Sequence, residues 1–352
     1  MAYTERRLMF EDVSMRRIYL LPIAIFIVIA MALHFYFNGS AAHGVAQAAG
    51  TYPQDLCVNG MPINGTALGF AMGSGIRCFR TDITLSPEQI SFAANATGSG
   101  AQFLGILDYD TVGAHPSQGG CLSGCNWTLA DWNASVYNAV AAYPGVNEWE
   151  IYNEPLATLF MSGYDNGSAL NYFNMIRSAY TIIKSKEPNA TIVCFGGAEL
   201  YPPQQVQYEY QFYDKVWQYG ASRYCNAISI HAYSLPFYSL NQTIGGNITL
   251  GMYYAAVLGA YENMTGKPIW ITETGITSNN WASGLNLSEY KQASFLSQDL
   301  SFFSHYSFVK RIYWFDFMDS PGGTQDYGLL NGSMHPKPAW YAFLRFVHNS
   351  TA

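Results

Sequence analysis

Charge is what this chain has least of. Asp, Glu, Lys and Arg make up 12% of its 352 residues, about half the usual share of roughly 25%. The shortage does not signal disorder, because 49% of the residues are apolar and 16% aromatic, enough to build a core. The net charge is −7 and no Lys/Arg cluster marks a binding face. Both argue against nucleic acid as a partner. No GxGxxG follows an apolar β-rich run, which argues against a dinucleotide fold. No CxxC or HxxxH spacing marks a metal site. Internal repeats and low-complexity blocks are also missing.

Long apolar runs are scarce too, with one exception. Ile18 to Phe37 (IYLLPIAIFIVIAMALHFYF) holds twenty residues without a charge. Twenty residues at about 1.5 Å each span a hydrocarbon core of roughly 30 Å. Arg6, Arg7, Arg16 and Arg17 precede it and nothing basic follows closely. The positive-inside rule then gives a cytoplasmic tail at 1–17, a signal anchor at 18–37 and the rest outside. Residues 38–50 (NGSAAHGVAQAAG) read as a linker. A cleaved signal peptide is the alternative, with Ala46-Gln47-Ala48 as its cleavage site. An outside address fits thirteen Asn-x-Ser/Thr sequons beyond the apolar run. It also fits the six cysteines, Cys57, Cys78, Cys121, Cys125, Cys194 and Cys225. Their even number permits disulfides. Cys57–Cys78, Cys121–Cys125 and Cys194–Cys225 are candidate pairs, though spacing does not fix connectivity.

From residue 51 to 352 short β-rich runs alternate with helical patterns. The runs are Arg77–Ile83, Gln102–Tyr109, Glu148–Asn153, Thr191–Phe195, Ala227–His231, Pro268–Glu273 and Arg311–Phe317. An eighth, weaker run lies at about Tyr52–Val58. Alternation of this length predicts an α/β fold, a (β/α)8 TIM barrel preceded by a single transmembrane helix. An open doubly wound sheet is the alternative.

A barrel of this kind builds its active site at the C-terminal strand ends. Those ends are polar here: Arg80 and Asp82, then Asp108 with Tyr109, then Asn153 and Glu154. His231 with Tyr233, Glu273, and Trp314 with Asp316 complete the set. Buried ionisable groups are costly unless paired or used. Two glutamates at widely spaced strand ends suit glycoside cleavage, which needs one carboxyl as acid and one as nucleophile or base.

The strands WEIYNEP (Trp149–Pro155) and IWITETG (Ile269–Gly275) resemble the two signature strands of glycoside hydrolase clan A. ISIHAY and YWFDF resemble the sixth and eighth strands of the same barrel. The resemblance covers about residues 51–346. It implies a retaining β-glycoside hydrolase acting on an extracellular glucan, mannan or xylan, with Glu154 as acid/base and Glu273 as nucleophile. It further implies that Asn153 binds the sugar 2-hydroxyl, that Arg80 and Tyr233 hold Glu273, and that His231 contacts Glu154 or the substrate. Trp314 would be the platform under the sugar. Among the other strand-end residues, Asp108 is a candidate for substrate support, Tyr109 for lining a subsite, and Asp316 for contact with a hydroxyl or for capping its loop. Bland readings compete: Arg80 paired with Asp82 or Asp108, His231 as a core histidine, Trp314 as barrel packing. Glu150, four residues before Glu154, reads as structural because it lies too deep for a sugar. No metal or organic cofactor is called for, since two carboxyls and water complete the chemistry. A non-catalytic glycan-binding glycoprotein and a transglycosylase using the same carboxyls are the rival functions.

Overall fold

The computed structural model describes residues 55–60, 65–108, 128–156, 166–200, 203–233, 237, 239–279, 287–320 and 326–350. The anchor at 18–37, the linker, Tyr109, Cys121 and Cys125 lie outside those residues. Among the described residues no helix is long and apolar enough to cross a membrane.

Among the described residues eight barrel strands alternate with eight α-helices. The strands are β1 (Asp55–Asn59), β2 (Cys78–Asp82), β3 (Gln102–Leu107), β4 (Glu148–Ile151), β5 (Thr191–Glu199), β6 (Ala227–His231), β7 (Ile269–Thr274) and β8 (Val309–Trp314). The helices are α1 (Gly65–Gly73), α2 (Pro87–Gly98), α3 (Leu129–Ala142), α4 (Asn166–Lys186), α5 (Pro203–Gln218), α6 (Leu250–Thr265), α7 (Glu289–Phe303) and α8 (Pro338–Ser350). A two-stranded ribbon at Thr243–Gly245 and Ile248–Thr249 precedes α6. All eight strands run parallel and close into a barrel. The open sheet is thereby ruled out.

Closure depends on β1, the weak strand of the sequence. It pairs β8 on one side and β2 on the other. Only Leu56, Cys57 and Val58 give it apolar character, which is why the pattern there is faint. The Cys57–Cys78 disulfide ties it to β2. A second disulfide, Cys194–Cys225, joins β5 to the segment before β6.

Helix starts follow local chemistry. Thr128 and Asp131 form a reciprocal capping box on α3, which satisfies two backbone donors that a helix start leaves open. Ser86, Thr249 and Ser288 accept from the third helical N–H of α2, α6 and α7.

The barrel interior is layered. Near the strand starts Cys57, Cys78, Leu104, Val193, Ala227, Trp270 and Tyr313 pack together. Arg311 reaches Glu148 there and lies 4.2 Å over the Trp270 ring. Two residues further along β4, Glu150 opens a polar layer. Above that layer lie the strand ends.

Candidate active site

Arg80 organises the strand ends. It is 2% exposed and projects from β2 into the barrel. Its Nε donates to Glu150 at 2.5 Å and its Nη1 to Glu273 at 2.7 Å. Nη1 also reaches Asn59 Oδ1 at 2.8 Å, and Nη2 reaches Asn153 Oδ1 at 2.8 Å. One guanidinium therefore binds side chains from β1, β4 and β7 and from the turn after β4. Burial works against its charge, but Glu150 and Glu273 outweigh that and raise its pKa further. The expected alternative partners, Asp82 and Asp108, are not its ion pairs. Those are Glu150 and Glu273. Asp108 is buried at the end of β3.

Glu150 is structural, as its depth suggests. It is fully buried, paired with Arg80, and accepts the Ser229 hydroxyl. Thr272 continues that chain.

Glu273 is held from three sides. Besides Arg80, the Tyr233 hydroxyl donates to its Oε2 at 2.5 Å. His231 Nε2 lies 3.4 Å from its Oε1. Burial pushes the Glu273 carboxyl up, but His231, Arg80 and the Tyr233 hydroxyl together bring it below the usual glutamate value. Glu273 therefore stands as a carboxylate.

Glu154 is the more open of the two, with a quarter of its side chain exposed. Its Oε1 lies 2.9 Å from His231 Nδ1. His231 thus bridges both glutamates from a fully buried position. Burial lowers its pKa, but the two carboxylates overcome that and raise it. One oxygen of Glu154, one of Glu273 and a ring nitrogen of His231 all lie within 4.8 Å of one another. Such a trio is of the type that holds metal ions. Arg80 already supplies the positive charge at Glu273, so a divalent cation would meet a guanidinium in a dry site.

The backbone at Glu154 is unusual. Tyr152 and Glu154 have φ of 70° and 45°, in the left-handed region that L-residues seldom adopt. The Glu154 N–H donates to the Gly196 carbonyl at 2.5 Å. Phe195, Gly196 and Gly197 follow with φ of 81°, 60° and 87°, and the register of β5 against β6 shifts between Cys194 and Ala198. A Cβ on Gly197 would stand 2.2 Å from His231 Nε2, and one on Gly196 2.4 Å from the Tyr152 carbonyl oxygen. This bulge makes room for His231 and holds the turn that carries Glu154.

Trp314 departs from expectation. It is fully buried and gives its indole N–H to the Tyr327 carbonyl at 3.2 Å. A platform must show a ring face, so Trp314 is packing. Alternation along β8 puts the next residue on the other side. Phe315 is partly exposed and packs edge-on against Tyr233 and Tyr327, with centroids 6.1 and 5.5 Å away. Asp316 follows, partly exposed at the mouth. Burial and the nearby Glu273 push its carboxyl up to about 7, against a hydrogen bond from the Phe317 N–H.

The structure thus brings together Arg80, Asn153, Glu154, His231, Tyr233 and Glu273. Sequence reasoning missed Asn59, Phe315, Tyr327 and the Gly196–Gly197 pair. Asn59 ends a strand and precedes a glycine, which was the available signal. The two glycines directly after TIVCF were the signal for the bulge.

Comparison with known proteins agrees with this geometry. Residues 177–341 match the glycosyl hydrolase catalytic core family. That stretch contains His231, Tyr233, Glu273 and Asp316. No curated protein matches the chain. Among solved structures, a family 39 glycoside hydrolase from Bacteroides cellulosilyticus WH2 superposes with TM-score 0.59 at 19% identity, over 84% of this chain and 64% of that one. A GH2 β-galacturonidase from Eisenbergiella tayi, bound to galacturonate, gives 0.57 at 15%, over 85% and 51%. Xylanase 10B from Thermotoga petrophila RKU-1, in complex with xylobiose, gives 0.57 at 14%, over 88% and 97%. The chain spans about half to two thirds of the length of the first two. At these identities the likeness is one of fold. The matched stretch is just under half of the chain, and the closed eight-stranded parallel barrel is the fold that the chain shares with these solved structures.

Proposed function

We propose that the chain is a retaining β-glycoside hydrolase, with Glu273 as nucleophile and Glu154 as acid/base. One observation carries this reading: two glutamates at the ends of β4 and β7 put oxygens within 4.8 Å of each other, with only Glu273 held by a guanidinium and a phenol. Retaining enzymes keep their carboxyls about 5–5.5 Å apart, whereas inverting enzymes leave roughly 6.5–9.5 Å for a water. The asymmetry fits the two tasks. Glu273 is kept ionised to attack, and Glu154 is open enough to reach a leaving oxygen.

In the first step a Glu273 oxygen bonds to the anomeric carbon. The glycosidic C–O bond breaks, and the leaving oxygen takes the Glu154 proton. In the second, water attacks the anomeric carbon and gives a proton to Glu154. The Glu273 ester breaks and the sugar leaves with its configuration retained. Arg80 and Tyr233 stabilise the carboxylate before attack and as it departs. Asn153 stands beside Arg80 where the 2-hydroxyl of the reacting sugar would lie.

The substrate class is a β-linked pyranose polymer or oligosaccharide of glucan, mannan or xylan type. The work is done outside the cell, with the chain anchored through residues 18–37 or released by cleavage near Ala48. The aromatic edge formed by Tyr233, Phe315 and Tyr327 supports a sugar-binding mouth. The test is to incubate residues 51–352 with β-glucans, mannans and xylans beside Glu273→Gln. Cleavage with retained configuration, reduced about 10³-fold or more in the variant, is expected. Inverted product, or equal activity of both proteins, would refute the mechanism.

A further inference from the structure

Resting on the hydrolase reading, we propose that the site takes an uncharged sugar at the reacting position, that Asp316 reads one of its hydroxyls, and that uronic acids are rejected. Two separate observations lead there.

The first is an inventory of cations on the side of the barrel where the glutamates lie. Enzymes that cleave uronides need a positive or strongly donating partner for the sugar carboxylate. From each strand end to the first turn of the next helix, the sequence holds few. The segments 60–64, 83–86, 108–128, 152–165, 200–202, 232–249 and 275–288 contain no Lys or Arg. This includes the loop residues outside the described set, whose one histidine is His115. Three Lys or Arg remain, beside two further histidines, the buried His231 that bridges the glutamates and the exposed His335 of the segment before α8. Arg80 is 2% exposed, and Glu150, Glu273, Asn59 and Asn153 take its nitrogens. Lys337 is also 2% exposed and donates to both Asp319 oxygens at 3.1 Å and to the Asp326 carbonyl at 3.2 Å. Lys291 lies in the outer helical ring, in the first turn of α7. Neither buried cation has a hand free for a substrate.

The second is the placement of Asp316. It follows β8 directly and stands against the end of β1. A Cβ on Gly60 would fall 2.1 Å from its Oδ1, so glycine at that position (φ 82°) is what admits the carboxyl. The Phe317 N–H fixes the same oxygen. Oδ2 takes no hydrogen bond among the described residues. Asp316 is thus a held carboxyl with one oxygen unused, near enough to Glu273 to feel its charge. In its neutral form it can both give and accept a hydrogen bond, as a sugar hydroxyl does. A substrate carboxylate would instead meet Glu273 and Asp316 at a place where water is scarce.

The experiment uses aryl β-glycosides in matched pairs at pH 5.5: glucoside with glucuronide, and galactoside with galacturonide. Each pair differs in the C6 carboxylate alone. The neutral member is expected to be cleaved with kcat/KM at least 10²-fold above its acid partner. Asp316→Ala should lose about 10- to 100-fold on the best neutral glycoside, with Asp316→Asn recovering part of it. A deoxy analogue lacking the hydroxyl that Asp316 reads should lose nothing further in Asp316→Ala. A uronide cleaved as fast as its neutral partner overturns the inference and leaves the hydrolase reading standing. If no aryl glycoside is cleaved, calorimetry with Glu273→Gln decides, using gluco-, xylo- and manno-oligosaccharides against oligogalacturonides. Binding of the neutral class alone supports the inference, even where the hydrolase reading has failed. Binding of the acidic class, or of neither, overturns it.

Discussion

Asp299→Asn should make the protein more stable, and increasingly so as the pH rises. Asp299 sits on the inner face of α7 with no exposed surface. Its Oδ2 lies 2.6 Å from the Thr274 hydroxyl, and its Oδ1 has no partner among the described residues. Thr274 Oγ1 is also 3.1 Å from the Ala232 carbonyl. One hydroxyl hydrogen cannot serve both acceptors. A protonated Asp299 resolves the conflict, because it donates to Thr274 and Thr274 then donates to Ala232. Burial drives this carboxyl from 3.8 up to about 8, opposed only by the Thr274 hydroxyl. Between those values the folded protein keeps a proton that the unfolded chain releases. Stability from this group is complete below about pH 3.8 and is lost as the pH rises through 8. Each pH unit in the window is worth about 1.4 kcal/mol, so the full loss is on the order of 5 kcal/mol. Asparagine keeps a donor for Thr274 and does not titrate. Equilibrium urea unfolding at each pH from 4 to 9 measures the difference. The two proteins should agree near pH 4, separate up to about pH 8 and then run level. Parallel curves across the range would show that Asp299 is not a proton-holding acid in the fold.

Arg80→Met should cost both stability and activity, because it leaves Glu150 buried beside Ser229 with no counter-charge. A loss of about 3–5 kcal/mol is expected from urea unfolding, and restoration of wild-type stability in Arg80→Met/Glu150→Gln would confirm the source. Gly197→Ala should lower kcat/KM at least 10-fold while leaving the far-ultraviolet circular dichroism unchanged, since the new Cβ meets His231 Nε2 at 2.2 Å; unaltered kinetics would refute the role given to the bulge.

Much of this barrel was legible because burial and chemistry pull in opposite directions on the same strands. RCFRTDI carries Arg80 and Asp82 toward its end, EWEIYN runs straight into Glu154 and PIWITE closes on Glu273, and a buried strand has no cheap reason to lead into charge. Those endings named Arg80, Glu154 and Glu273, and the structure puts them together. What was hidden depends on facts that periodicity does not carry. The strand β1 has three apolar residues, too few to stand out, yet its Asn59 donates to the Thr272 carbonyl and accepts from Arg80. The β5 bulge arises from three successive left-handed residues, which leave no hydrophobic period. The Trp314 error is a register error of one residue, and in a strand one residue exchanges the inside for the outside.

The same one-residue logic explains why the charge network could be guessed but not drawn. Arg80 is bonded to residues 21, 70, 73 and 193 positions away, and none of those separations has a local signature. What selects the partners is closure. Once β1 joins β8 to β2, the strand ends face a shared axis, and a single long cation can reach Asn59, Glu150, Asn153 and Glu273 together. With its nitrogens taken within the protein, that cation cannot be lent to a substrate. On the proposed hydrolase reading, a chain so poor in loop-side Lys and Arg would bind its sugar through hydroxyls. The scarcity of charge that marks the sequence is therefore also a statement about the substrate, and the matched glycoside pairs read it directly.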